Sequence, residues 1–150
     1  MMVFDYTFVV RAPLAAVSAF HHDARALQRL SPPPLIVQLH RVDPLGENSI
    51  ADFTLWMGLW PIRWTAIHSD VSAERGFTDT QQRGPMKFWK HTHRFIPVEA
   101  KTVRVSEHIE YEHDTGLRGL VSRLLFNPLA LRFLFAYRGW VTRRALESRA

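Results

Sequence analysis

Apolar and polar residues alternate from Phe4 to Val10, with Phe4, Tyr6, Phe8 and Val10 on one side and Asp5 and Thr7 on the other. A period of two over this length predicts a strand with one face buried. Ala12-Pro13 ends it, and a proline there suits the first turn of a helix. Leu14, Val17, Phe20, Leu27 and Leu30 follow at helical spacing with polar residues between them. Ser31-Pro32-Pro33-Pro34 then stops any helix and sends the chain into extended structure. Six further strands are predicted over residues 35–42, 49–57, 62–71, 77–82, 86–97 and 102–113. Their connections, such as Pro44 to Asn48, Gly58 to Pro61 and Gly84-Pro85, are too short for the dozen or more residues a parallel crossover needs. From Leu117 to about Glu147 alternation disappears and helix formers dominate, interrupted only at Asn127-Pro128. A kink, or a short helix followed by a long one, is expected there. The order predicts one α+β domain over residues 1–150, an antiparallel sheet of about seven strands curved around a long C-terminal helix.

Composition narrows the chemistry. At 47% hydrophobic residues the chain can bury a substantial core, and with no cysteine it has no thiolate nucleophile, thiolate metal site or disulfide. Met1 to Asp5 lack a signal-peptide pattern and no run is long and apolar enough for a span, so a soluble, cytoplasmic protein is expected. The net charge of +5 is scattered, without a helix-turn-helix, zinc-finger spacing or RNP-type strand, and no nucleic-acid partner is expected. P-loop, dinucleotide and nucleophile-elbow patterns are all missing, and no cofactor is expected. Oligomeric state is open, a homodimer included.

The strand over 86–97 carries the most information. Period two places Trp89, His91, His93 and Phe95 on one face, with Lys90 and Arg94 on the other, so the histidines point inward. On the final strand Val103, Val105, Glu107, Ile109 and Tyr111 share a face. A carboxylate in that apolar row needs a partner, and His91 or His93 of the neighbouring strand is the natural one. Such a cluster serves as a satisfied polar knot, as a group that orients a ligand, or as a general acid–base pair. Two histidines and a carboxylate also fit a metal site in kind, but the surrounding glycine and glutamate spacing does not match the metal-binding cupin pattern, and no metal is expected. His21-His22 reads as a surface feature near a helix C-terminus. Trp56, Trp60 and Trp64 read as core and rim packing, with Trp64 alone on the inner face. Leu131, Leu134, Phe135, Arg138 and Val141 share a stripe of the terminal helix, where Arg138 either runs its stem along the core to water, pairs with Glu107, or meets a ligand anion.

Several stretches resemble one superfamily. Val9-Val10-Arg11-Ala12-Pro13-Leu14 with Val17 and Phe20 looks like the opening of START/SRPBCC proteins, the helix-grip superfamily of polyketide cyclases and lipid-transfer domains. Phe77-Thr78-Asp79, the Gly84-Pro85…Trp89-x-His91-x-His93-x-Phe95 run and Leu134 to Arg138 are similar to a bacterial ligand-binding branch of it. The resemblance implies a helix-grip fold with an internal cavity, and no metal. Its expected walls are Phe53, Trp64, Trp89, Phe95 and Phe135, and its polar spot His91, His93, Glu107, Tyr111 and Arg138. Binding of a small apolar, aromatic or lipid-like molecule is the first functional reading. A cyclase, aromatase or dehydratase using His91 or His93, with Glu107, is the second. A third is lipid handling at a membrane, with the region from Leu120 to Trp140 and its flanking arginines on an anionic bilayer. Burial of one helix face by the sheet is the preferred account of that region.

Overall fold

The computed structural model describes residues 1–23 and 25–147. The elements run β1 (Met2–Val10), α1 (Leu14–His22), α2 (Ala26–Arg29), β2 (Leu35–Val42), β3 (Ile50–Met57), β4 (Trp60–Ser72), β5 (Gly76–Arg83), β6 (Phe88–Glu99), β7 (Thr102–Glu112), α3 (Gly116–Leu125) and α4 (Pro128–Leu146). The seven strands form one sheet in the order β1-β7-β6-β5-β4-β3-β2, antiparallel throughout. Short hairpins make β2 to β7 a meander in chain order. β1 instead joins the far side of β7, with Met2 opposite Tyr111 and Val10 opposite Val103.

The first helical stretch is broken, because Asp23 is extended (φ −73°, ψ 124°) and α2 is a single turn of 4 residues. At Asn127-Pro128 the chain forms a short helix followed by a long one, bent by 46°, which is one of the two arrangements expected there. Asn127 caps α4 by accepting from the Ala130 amide at 2.9 Å, and Pro128 occupies the first turn, where its missing N–H costs nothing.

α4 buries Leu131, Phe135, Gly139 and Thr142, a stripe at four- and three-residue spacing. Gly139 lets it approach β1: a Cβ there would lie 3.2 Å from Phe8 Cγ. Burial accounts for only one side of the terminal helices, since Leu120, Leu124, Leu129 and Phe133 are 64% to 80% exposed. Among the described residues no single helix is long and apolar enough to cross a membrane. Burial alternates on β6 as far as Phe95 and along the whole of β7, which puts Trp89, His91, His93 and Phe95, and Val103 to Tyr111 by twos, inside.

Candidate functional site

A cavity of about 450 Å³ lies between the sheet and the helices. Alternate residues of β3 and β4 form its sheet wall, among them Phe53, Leu55, Ile62 and Trp64, while Leu27, Leu131 and Leu134 close the helical side. Trp64 stacks on Phe53 (centroids 6.2 Å, 10° between planes) and meets Trp89 edge-on at 5.6 Å. Such aromatic packing holds large flat side chains in fixed orientations.

One part of this wall is ionic. Strand register sets Asp79 of β5 opposite His91, and Glu107 of β7 opposite His93. Glu107 Oε2 lies 2.8 Å from His91 Nε2, which donates to it, and 2.9 Å from His93 Nδ1. Asp79 Oδ2 lies 3.0 Å from His93 Nε2, which donates to it, and 3.5 Å from His91 Nδ1. His93 Nδ1 is close to Glu107 but out of line, and makes no hydrogen bond. The two imidazole centroids are 3.9 Å apart. Phe77 stacks on His93 at 4.2 Å, and Phe135 meets His91 edge-on at 5.3 Å.

Burial opposes every charge in this cluster, and the neighbours decide which survive. It works against the Glu107 carboxylate, but the adjacent His93 charge and the hydrogen bond from His91 hold that group well below the usual range. Asp79 is lowered in the same way against its own burial, first by His91 and then by His93. Burial would discharge His93 too, yet Glu107 and Asp79 lift it to about 9. His91, buried and beside that cation, is lowered. Arg138 reaches the cavity from α4, its Nε donating to the Leu30 carbonyl at 3.3 Å and its Cζ 5.1 Å from the Phe135 ring. Burial lowers it, Glu107 and Asp79 oppose that, and a guanidinium keeps its proton. Two carboxylates are therefore matched by two cations at neutral pH.

Of the residues expected around a ligand, Phe53, Trp64, Trp89, His91, His93 and Arg138 lie on the cavity wall. Phe95, Glu107, Tyr111 and Phe135 do not, although all four point inward. Phe95 packs with Phe8 and Val103, and Tyr111 lies 6.1 Å from Trp89. Glu107 lies behind the two histidines and Phe135 packs among Phe4, Tyr6 and His91, at 3% and 0% exposure. The surface reading of His21-His22 is overturned, because α1 lays both rings over the cavity. His21 packs 5.0 Å from Phe95 and bonds the Val17 carbonyl at 2.8 Å, and burial drops it to about 4 against the pull of Glu107. His22 Nε2 is buried and has no hydrogen-bond partner among the described residues. Arg138 lies on the cavity wall and bonds the Leu30 carbonyl, not Glu107. Asp79 and His68 join the wall unannounced. Alternation from Phe77 puts Asp79 on the inner face, and that was the available signal.

No protein-family model matches the chain, and no curated protein matches it in sequence. Solved structures do match. A Chromobacterium violaceum protein aligns at TM-score 0.79 and 13% identity, over 98% of this chain and 99% of that one. An aromatase/cyclase of Streptomyces sp. R1128 aligns at 0.77 and 14%, over 99% and 94%. The norcoclaurine synthase of Thalictrum flavum, in complex with dopamine and hydroxybenzaldehyde, aligns at 0.66 and 14%, over 96% and 85%. Likeness at such identities is a likeness of fold, and it agrees with the strand order and terminal helix described above: this chain has the helix-grip fold that the resemblance to START/SRPBCC proteins implied.

Proposed function

We propose that the chain binds a small, largely apolar molecule in the 450 Å³ cavity, with an oxygen function of that molecule turned to His91, His93 and Arg138. One observation carries this reading: an aromatic and aliphatic chamber with a charge-balanced cluster set at its wall. Ligand sites combine large apolar walls with a few placed polar groups, and a volume within roughly 300–1,000 Å³ suits a small organic molecule. The norcoclaurine synthase held with dopamine and hydroxybenzaldehyde supports the choice of an aromatic ligand. The test is a titration with a neutral apolar fluorophore, 1-N-phenylnaphthylamine. Saturable one-site enhancement is expected, weakened about tenfold or more in Trp64→Ala, a loss of roughly 1.4 kcal/mol. A folded wild-type protein without saturable binding would sink the reading.

A second reading is favoured by the pairing of a cationic His93 with a neutral His91 on the same wall. An acid and a base whose ring centroids lie 3.9 Å apart suit proton transfer on a carbonyl substrate, as in a cyclase-type reaction. Under it, His91→Ala and His93→Ala abolish turnover of a cavity-bound carbonyl compound while leaving phenylnaphthylamine binding within a few-fold. Full turnover in both variants removes it.

A further inference from the structure

We infer that Asp79, His91 and His93 form a site for one divalent transition-metal ion that opens on the cavity, with Glu107 seated behind both imidazoles.

Spacing is the first argument. Metal bonds to nitrogen and oxygen of about 2.0–2.2 Å place neighbouring donors roughly 3.0–3.5 Å apart. Asp79 Oδ2 is 3.0 Å from His93 Nε2 and 3.5 Å from His91 Nδ1, and one ligand atom from each residue falls within 4.8 Å of the others. Orientation is the second. A ligating histidine turns its other ring nitrogen to a carboxylate or carbonyl, which fixes the tautomer and the ring. His91 does so here, its Nε2 donating to Glu107 Oε2 at 2.8 Å, and His93 Nδ1 lies 2.9 Å from the same oxygen, close enough to donate to it once the ring turns slightly. His91 thus offers Nδ1, and His93 offers Nε2, on the Asp79 side.

The third argument is what the cluster leaves unsatisfied by itself. With its proton on Nε2, His91 aims a lone pair from Nδ1 toward a carboxylate oxygen 3.5 Å away, with no hydrogen between them. His93 Nδ1 is buried without a hydrogen bond. A cation seated among Asp79 Oδ2, His91 Nδ1 and His93 Nε2 removes the first conflict and leaves the His93 proton on Nδ1, toward Glu107. Donor chemistry agrees, since two imidazoles and one carboxylate suit zinc or ferrous iron. All three ligands line the cavity, so the remaining coordination positions face it. A dication opposite two carboxylates, with Arg138 nearby, favours a ligand with an anionic oxygen, such as a phenolate or carboxylate. Only this last step rests on the cavity reading.

The experiment uses tag-free full-length protein, stripped with a chelator and titrated with Co²⁺ by visible absorption and with Zn²⁺ by calorimetry. One equivalent per chain is expected, with loss of affinity of about a hundredfold or more in Asp79→Asn and about 10–100-fold in Glu107→Gln. Glu110→Gln, beside the surface residue His108, is expected to bind as wild type. Independently of any variant, Co²⁺ loading of the wild type should shift two ring N–H resonances paramagnetically, those of His91 Nε2 and His93 Nδ1. A folded wild type without stoichiometric Co²⁺ or Zn²⁺, or with no shifted ring resonances, overturns the site, as does a folded Asp79→Asn with unchanged affinity. Phenylnaphthylamine titrations of the same samples separate the two readings. Dye without metal removes only the metal site, and metal without dye removes only the apolar-ligand reading.

Discussion

Glu107 is 3% exposed, and one of its oxygens meets two imidazoles. Taking that carboxylate away strands a buried imidazolium, and breaking a buried charged network in this manner costs about 3–5 kcal/mol. In metal-free protein Glu107→Ala should lose stability of that order in urea unfolding, and Glu107→Gln, which keeps an acceptor, clearly less. A loss in Glu107→Ala below about 1 kcal/mol would mean that the network is solvated. His21 gives a pH dependence with the opposite chemistry. Its folded pKa is depressed from 6.5 to about 4, so folding favours the neutral ring. That stability is complete above pH 6.5 and is lost as pH falls toward 4. Facing groups set the sign: His93 on β6 and Arg138 on α4 oppose a charge on His21, while Glu107 on β7 favours it less strongly than burial disfavours it. The 2.5-unit difference corresponds to at most about 3.4 kcal/mol, and a cavity-facing ring that takes up water should give about 1–3 kcal/mol. Urea unfolding of metal-free protein at pH 6.5 and pH 4.5 should show the slope reduced in His21→Gln. An unchanged slope would assign the acid sensitivity to other groups.

At the scale of elements, β5 decides whether the cluster exists, because it alone brings Asp79 to the histidines. Gly76 opens that strand at φ +116°, where a Cβ would collide with the His93 carbonyl. Gly76→Ala therefore combines backbone strain with a clash against β6, and a loss of about 3 kcal/mol or more is expected. Co²⁺ affinity should fall with it, since Asp79 lies on the same strand. A variant as stable as wild type in urea would show that β5 can shift without cost. The elements differ in how well the chain announced them. Meander order followed from loop lengths, and the inward face of β6 from Trp89 and Phe95 set against Lys90 and Arg94. Glu107 stood out as a charge in an apolar row. Asp79 did not, because its significance depends on the β5–β6 register, and register is a property of pairing that neither strand states alone. The burial of His21 depends on how α1 is turned against β6. Its spacing of four from buried Val17 was a hint, but two adjacent histidines at a helix end also suit a solvated C-terminus. The break at Asp23 carried no proline to mark it.

For the molecule as a whole, the cavity is an apolar space whose lining lacks partner atoms, so filling it should stabilise the fold. A ligand present at a hundred times its Kd contributes about 2.7 kcal/mol, provided it does not bind the unfolded chain. In a chain of this size each kcal/mol shifts the midpoint by roughly 2–4 °C, so a rise in Tm of about 5–10 °C is expected. The same shift should vanish in Trp64→Ala at equal ligand concentration and persist in Leu59→Ser, since Leu59 is 97% exposed on the β3–β4 hairpin. Metal and ligand then test each other. If an anionic oxygen of the ligand completes the coordination of a metal on Asp79, His91 and His93, the two binding events share free energy, and linkage requires the coupling to be reciprocal. Zn²⁺ should tighten the binding of a phenolic ligand by the same factor by which that ligand tightens Zn²⁺, about 5–150-fold for coupling of ordinary strength. A ligand of equal shape without the oxygen should bind the same with or without metal. Additive Tm shifts for the phenolic ligand would place its oxygen elsewhere, with Arg138 as the remaining cation on the wall to receive it.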